Sequence, residues 1–275
     1  MINGQTKVYG IIGNPVRHSK SPVMQNAAFE ALAVNAVYVP FPVDNIDHAV
    51  SGIRGLGICG MSVTIPFKET ILAHLDEIDH VARKIGAVNT VTVVEREGKR
   101  LLSGYNTDWF GAIGALSEKT SLAGKKAVVL GAGGSARAIG FGLLEHQVEI
   151  SLCSRTETTG RLLADELGCS WLPLLEIPNL TGDILINATS VGMAPKVDQS
   201  LVPREVLRNF PIVMDIVYSP LRTRLLQDAE EMGCTTIHGL EMLLHQGVAQ
   251  FELWTGQPAP IEVMRKALRA SLEGN

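Results

Sequence analysis

The sequence predicts an α/β protein built on parallel sheets and divided into two parts. Two observations predict it. Along the 275 residues, apolar runs of strand length alternate with longer segments of helical periodicity, the pattern of βα units. Midway, in residues 127–138, a valine-rich strand runs into glycines and then into a helix. The best boundary is near Gly104, where a hairpin closes one series and a second βα series begins.

Residues 8–13 read as the first strand. Ser21-Pro22 opens a helix to about Ala33, with a hydroxyl at the N-cap and proline in the first turn, where its missing N–H costs nothing. Residues 37–43 are a second strand and 44–54 a helix. Residues 59–65 are a third strand, stopped by Pro66, which cannot donate to a ladder. Residues 68–86 read as a helix with an interruption. Residues 89–95 and 100–103 flank Glu97-Gly98 and predict a hairpin. Beyond the boundary, helices are expected at 108–116, 136–145, 158–167 and 221–232. Strands are expected at 125–130, 148–153, 183–187, 212–216 and 235–238. Two helices, 240–254 and 261–272, end the chain.

Hydrophobic residues make up 46% and charged residues 19%, which supplies a core and excludes a disordered chain. No apolar run reaches the ~18 residues that span a bilayer, and no basic-then-apolar leader is visible. The net charge is −4 with Lys and Arg scattered, so no basic stripe awaits nucleic-acid phosphates. The four cysteines, Cys59, Cys153, Cys169 and Cys234, are too far apart for a metal knuckle or a redox pair. Cys153 reads as a buried free thiol, and the usage fits a reducing, cytoplasmic setting. His245 follows Glu241 by about one helical turn, but a core or capping histidine is the expectation, and no metal is predicted. The oligomeric state is left open, a homodimer among the options.

In a dinucleotide-binding turn the first glycine makes the tight bend and the second lets the backbone approach a pyrophosphate. A third small residue lets the helix pack on the strand. Gly131, Gly133 and Ala136 or Ala138 fill those places, and the N–H groups at the helix start would hold the anion. An NAD site puts an acid about 20 residues on, at the next strand tip. Here the tip reads Cys153-Ser154-Arg155-Thr156: no acid, a guanidinium whose planar fork suits a phosphate, and hydroxyls beside it. The expected cofactor is NADP. The competing reading leaves Arg155 on the surface and gives Glu157 to NAD.

Three motifs of the first half carry chemistry. HSKSP (18–22) brackets Lys20 with Ser19 and Ser21 at a helix start, suited to a carboxylate or to plain N-capping by Ser21. GMSVTIPFK (60–68) puts Thr64 and Lys68 at the C-terminal end of a strand, where open α/β sheets place ligands; a solvated lysine is the alternative. GAVNT (86–90) and GYNTD (104–108) carry Asn89 and Asp108, the latter also able to cap the next helix.

Taken together, the chain resembles the shikimate dehydrogenase family. The likeness runs end to end through NPVRHSKSP, SVTIPFK, GAVNT, YNTDWFGA, GAGGSARA, SRT, NATSVGM, DIVYSP and HGLEMLLHQG. It implies two α/β domains with a cleft between them. Residues 1–104 would bind substrate, 105–239 would form the Rossmann-type NADP domain, and the helices of 240–275 would pack back on the first. The implied reaction is the reversible NADPH-dependent reduction of 3-dehydroshikimate to shikimate, in aromatic amino-acid biosynthesis.

The resemblance assigns Ser19 and Ser21 to the substrate carboxylate. Thr64, Asn89, Asp108 and Gln246 fall to the ring hydroxyls, with Tyr218 nearby. Lys68 and Asp108 match the catalytic pair, with Lys68 preferred as proton carrier. Gly131, Ala132, Gly133, Gly134 and Ser135 match the pyrophosphate loop. Ser154, Arg155 and Thr156 match the clamp on the adenosine phosphate, and Ile216, Gly239 and Met242 the nicotinamide surroundings. Two positions depart from the pattern: Ser62 stands where Asn is usual, and Thr159 where a second basic residue often follows. Arg161 is a nearby substitute that points in another helical direction. Three alternatives stand beside this reading. One is a quinate/shikimate dehydrogenase that prefers NAD. Another is a non-catalytic NADP-binding regulator, free to lose the Lys68 and Asp108 that this chain keeps. A methylenetetrahydrofolate enzyme is disfavoured by the serine pair, which suits a small carboxylate.

Overall fold

In the computed structural model, which describes residues 2–273, the chain forms two units, Met1–Thr107 with Gln246–Asn275, and Asp108–His245. The divisions fall a few residues beyond those expected at 104/105 and 239/240. Hydrogen bonds explain the first shift: the Thr107 amide donates to Asn89 Oδ1 (2.7 Å) and Asn106 Nδ2 to the Ala87 carbonyl (3.0 Å). Packing explains the second, since a Cβ on Gly114 would lie 2.7 Å from the His245 ring.

In chain order the first unit runs β1 (Lys7–Gly13), α1 (Ser21–Ala31), β2 (Ala36–Pro42), α2 (Ile46–Gly55), β3 (Gly60–Val63), β4 (Glu77–Ile78), α3 (His80–Ile85), β5 (Thr90–Arg96) and β6 (Lys99–Tyr105). The second runs α4 (Asp108–Ser117), β7 (Lys126–Leu130), α5 (Gly134–Glu145), β8 (Glu149–Ser154), α6 (Glu157–Leu167), β9 (Ser170–Pro173), β10 (Ile184–Asn187), β11 (Ile212–Asp215), α7 (Arg224–Glu231) and β12 (Thr235–Ile237). Helix α8 (Gly239–Thr255) begins in the second unit and ends in the first, followed by α9 (Ile261–Glu273).

The first sheet is mixed, in the order β2-β1-β3-β5-β6-β4. Strands β2, β1 and β3 are parallel, and the β5–β6 hairpin joins antiparallel. Its turn residues Glu97 and Gly98 both have positive φ, 52° and 72°, as a two-residue hairpin loop requires. Segment 68–86 differs from the helix expected there. It holds a 3₁₀ turn (Thr70–His74), strand β4 and short α3. The Asp76 carboxylate accepts from the Leu102 amide (2.7 Å) and draws the segment onto the sheet edge. Asp79 then caps α3 through the Val81 and Ala82 amides, and Gly86 (φ 71°) ends it. Lys68 therefore sits in a turn, not on a helix.

One face of this sheet buries Ile12, Ile53, Met61, Ile71, Val91 and Leu102. Elsewhere in the unit helix α8 joins an aromatic cluster through Phe251 and Trp254. Ring centroids lie 5.4 Å apart for Tyr9–Phe29, 5.5 Å for Phe29–Phe251 and 5.3 Å for Tyr9–Trp254. Trp254 comes so close to β3 that a Cβ on Gly60 would stand 2.4 Å from the indole nitrogen.

The second sheet is parallel throughout, in the order β12-β11-β10-β7-β8-β9. Its strands alternate strictly, because successive side chains point to opposite faces. Val129, Ile186 and Met214 enter one core layer, and Val128, Leu130, Leu185 and Val213 the other. The order of connection reverses between β7 and β10, the position where such sheets bind ligands beyond their carboxyl ends. Strand β9 was not foreseen. It has four residues, lies at the sheet edge and ends in Pro173, so it carries little strand signal.

Phe251→Ala should cost the first unit about 3–5 kcal/mol, the usual range for a fully buried phenylalanine. Urea unfolding followed by tryptophan fluorescence would read it, and an unchanged midpoint would show that α8 is not part of that core.

Candidate active site

In the first unit, Ser19 and Ser21 lie between β1 and the first turn of α1. Helix α1 begins at Ser21 itself, with Lys20 at the N-cap and no side-chain cap. Ser21 is thus not the capping residue; Ser19 Oγ accepts from the Ser21 amide (3.2 Å). Lys20 Nζ donates to the Ser271 carbonyl (2.8 Å) and fixes this entry to α9. Two hydroxyls beside a helix N-terminus suit a carboxylate.

Thr64 and Lys68 follow β3. Gly13 makes room for Thr64, since a Cβ there would stand 2.3 Å from the threonine methyl. The Thr64 amide donates to Ile12 O (3.0 Å), and Lys68 O accepts from the Val88 amide (2.8 Å). The half-buried Lys68 is therefore held at the carboxyl end of the strand by its own backbone.

Asn89, 2% exposed, has its amide fixed from several sides. Its Oδ1 accepts from the Thr107 amide (2.7 Å) and Thr90 Oγ1 (2.8 Å), and its Nδ2 donates to Thr107 Oγ1 (3.0 Å) and, at 3.5 Å, to Gln246 Oε1. Behind it runs a buried chain. Tyr38 donates to Ser62 (2.7 Å), Ser62 to Gln250 Oε1 (2.8 Å), and Gln250 Nε2 to Thr90 Oγ1 (3.0 Å). Burial raises the Tyr38 phenol far above its ordinary range, against the pull of its Ser62 and Ser21 partners. It therefore stays a proton donor. Tyr38, Thr90 and Gln250 were not picked out from the sequence. Gln250 alone left a trace, lying one helical turn beyond Gln246.

In the second unit the glycine turn has the shape expected for a pyrophosphate. Gly131 has φ 116°, and a Cβ there would lie 3.0 Å from the Thr189 methyl. Gly133 and Gly134 face open space at the start of α5, so their backbone is approachable. Ala132 and Ser135 are half-buried beside them, while Ala136 is fully buried in the sheet's core layer and Ala138 is fully buried on another side of α5. These residues fit a dinucleotide.

At the tip of β8 the three clamp residues separate. Arg155 and Thr156 are exposed. Ser154 is buried, accepting from Trp171 Nε1 (3.0 Å) and donating to Thr156 O (3.2 Å). Its hydroxyl braces the tip from within. Glu157, the acid of the NAD alternative, pairs with Arg161 (2.8 Å), whose guanidinium lies 4.5 Å from the centre of the Trp171 ring. Trp171 was not foreseen, because it belongs to the unforeseen β9.

Asp108 opens α4 and is 8% exposed. Ile216 and Tyr218 follow β11, and burial raises the Tyr218 phenol. Gly239 packs on this segment so closely that a Cβ would stand 2.3 Å from Ile216 O. Met242 is buried in the adjoining core layer. Burial pushes the Cys153 thiol up to about 11, helped by Glu176, which keeps it inert. Among the described residues, Glu118, Glu241 and His245 have donor atoms within 4.8 Å of one another, a set able to hold a metal. His245 Nε2 lies 3.0 Å from Glu118 Oε1, an ion pair when the ring is protonated.

Comparison with known proteins bears on this arrangement. Residues 11–91 match the family described as "Shikimate dehydrogenase substrate binding domain", and residues 239–269 the "Shikimate 5'-dehydrogenase C-terminal domain". A relative from Pyrococcus abyssi named shikimate dehydrogenase (NADP(+)) is 48% identical, covering 97% of this chain and 98% of its own. The chain belongs to the shikimate dehydrogenase family. A crystal structure of a shikimate dehydrogenase in complex with NADP+ superposes with TM-score 0.91 at 42% identity, covering 99% of this chain and 98% of the other. One from Thermus thermophilus in complex with NADP(H) and shikimate gives 0.88 at 36% identity, covering 97% and 100%.

Against that family background, Asp215 stands out as a fully buried carboxylate at the end of β11. Burial pushes it up to about 6, against hydrogen bonds from Thr223, Val217 and Asn187 and the nearby His238. A value above the unfolded one of about 3.9 means that the folded protein holds this proton more tightly. Its charge thus weighs against folding above about pH 6, and that cost fades as the pH falls toward 4. Between pH 7 and pH 5 the stability of wild type relative to Asp215→Asn should rise by about 1 kcal/mol. Paired urea titrations would measure it, and a difference independent of pH would show that Asp215 titrates normally.

Proposed function

We propose that this protein catalyses the reversible reduction of 3-dehydroshikimate to shikimate, using NADPH. The observation that carries the reading is the first unit's polar floor. A fully fixed Asn89 amide stands beside Gln246 on the same sheet that presents Thr64 and Lys68 at the end of β3. Full-length relatives named for this activity support it.

Ser19 and Ser21 hold the substrate carboxylate at the start of α1. Thr64, Asn89, Gln246 and Asp108 take the ring hydroxyls, and Tyr218 supplies a further phenol. Asn89 can discriminate because its own partners leave it no freedom to turn. The ketone oxygen gains alkoxide character as it is reduced and needs a donor in place. Lys68 as ammonium stabilises that charge and delivers the proton; as neutral amine it takes the proton back in the reverse direction. When bound, NADPH supplies the hydride. The 131–135 turn and the N-terminus of α5 hold its pyrophosphate, with Arg155 and Thr156 on the adenosine phosphate and Ile216, Gly239 and Met242 around the nicotinamide. The Glu157–Arg161 pair favours NADP over NAD, since it occupies the acid that a ribose hydroxyl would need. Among the described residues no helix is long and apolar enough to cross a membrane, in keeping with a cytoplasmic role.

Lys68→Ala should lower kcat by about 10²–10⁴, the usual worth of general acid help, with shikimate affinity changed far less. A near-normal kcat would remove Lys68 from the chemistry. Arg155→Ala should weaken NADPH binding by about 1.5–3 kcal/mol, one charge-assisted hydrogen bond, and leave NADH nearly untouched. Titration with both cofactors checks it, and equal losses would contradict the phosphate role.

A further inference from the structure

Asp215 is fully buried, and the chemistry above does not use it. Its Oδ1 accepts from Asn187 Nδ2 (2.9 Å) and the Val217 amide (3.0 Å), and its Oδ2 from Thr223 Oγ1 (2.7 Å). These donors come from three places: the end of β10, the chain leaving β11, and the N-cap of α7, where Thr223 also accepts from the Leu226 amide.

The network reaches outward on both sides. Asn187 Oδ1 accepts from the Thr189 amide (3.1 Å) and Thr189 Oγ1 (2.7 Å), and its Nδ2 also donates to Val191 O (3.2 Å). Thr189 in turn abuts Gly131 of the glycine turn. On the other side, the Val217 amide bonded to Asp215 belongs to the peptide on which Gly239 packs, and the Ile216 amide donates to Asn187 O (3.1 Å). One carboxylate thus organises the carboxyl-end rim of β10 and β11, beside the reversal point of the sheet.

A buried charge is an expensive way to satisfy three donors, and the tighter hold on its proton shows the cost. Proteins tolerate such costs at sites of function. We propose that Asp215 is a positioning residue, whose carboxylate holds segments 187–191 and 215–218 in the conformation that receives the nicotinamide end of the cofactor. The proposal rests on the reductase reading.

Asp215→Asn keeps the shape and one carbonyl but turns a donor toward Thr223. Thr223→Val removes one of the three donors, and Thr223→Ser keeps it. In Asp215→Asn, amide hydrogen exchange within 187–191 and 215–218, followed by mass spectrometry, should quicken about tenfold, as local opening eases. The kcat should fall by about 10–100-fold, the scale expected of sub-ångström misplacement. The NADP Kd should change by less than about threefold, because the pyrophosphate turn holds most of the binding. The isotope effect on kcat with deuterated NADPH should rise as hydride transfer becomes limiting. Thr223→Val should move the same readouts, and Thr223→Ser should restore them.

A folded Asp215→Asn with wild-type kcat and exchange would overturn the proposal. So would a loss in Thr223→Ser as large as in Thr223→Val. If Asp215→Asn does not fold, the two Thr223 variants decide by the same criteria. Absence of turnover in the wild type counts against the reductase reading alone, and the exchange comparison still decides for or against Asp215.

Discussion

The side chain of Asn89 is the constraint on which the first unit's buried polar network depends. An amide can present either a carbonyl or an amino group in a given direction, and burial makes the wrong choice cost on the order of 1–3 kcal/mol per unsatisfied group. Here the Thr107 amide and the Thr90 hydroxyl claim its oxygen, which leaves its nitrogen facing Thr107 Oγ1 and Gln246. The direction is enforced from behind by Tyr38, Ser62 and Gln250, which pass hydrogen bonds from β2 through β3 to helix α8. That chain joins elements far apart in sequence. It also explains why the last helices belong to the first unit: without Gln246 and Gln250 the floor would lack an end.

The second unit solves a different problem, that of presenting backbone rather than side chains. Its turn works because glycine at 131 accepts a φ of 116° and because Gly133 and Gly134 put nothing over the helix start. The nearby strand tip needs rigidity, and here Ser154 is spent on structure. Bonded to Trp171 and to Thr156 O, it leaves Arg155 and Thr156 as the outward-facing groups. Arg161, stacked over the same indole, neutralises Glu157 at the surface. An exposed pair of this kind adds little stability.

Stability and function pull apart most clearly at Asp215. The carboxylate sits in a parallel sheet whose two apolar layers would favour a neutral side chain, and burial lowers its acidity accordingly. The three donors offset part of that cost and tie the ends of β10 and β11 together. The apolar alternation of the strands makes the sheet; the charge at its rim decides where the following loops go.

Local chemistry was legible in the sequence. The glycine turn, the Glu97-Gly98 hairpin and the parallel order of strand and helix follow from backbone preferences that act within a few residues. The strand pattern placed Thr64 just after β3 and Arg155 at the tip of β8, where the structure has them. Segment 68–86 departs from its helical pattern because Asp76 is drawn to Leu102 across the sheet, a partner no local pattern announces. The role of Ser154 changed because Trp171 arrives from a four-residue edge strand with almost no signal. Tyr38, Ser62 and Gln250 became one network only when three distant elements packed together. Sequence by itself determined most strands, turns and helices, because φ, ψ and side-chain periodicity are local, but not β4, α3 or β9, which answer to partners across the fold. Tertiary structure alone decided which buried polar groups face one another, because a hydrogen bond out of water must find its partner across the fold.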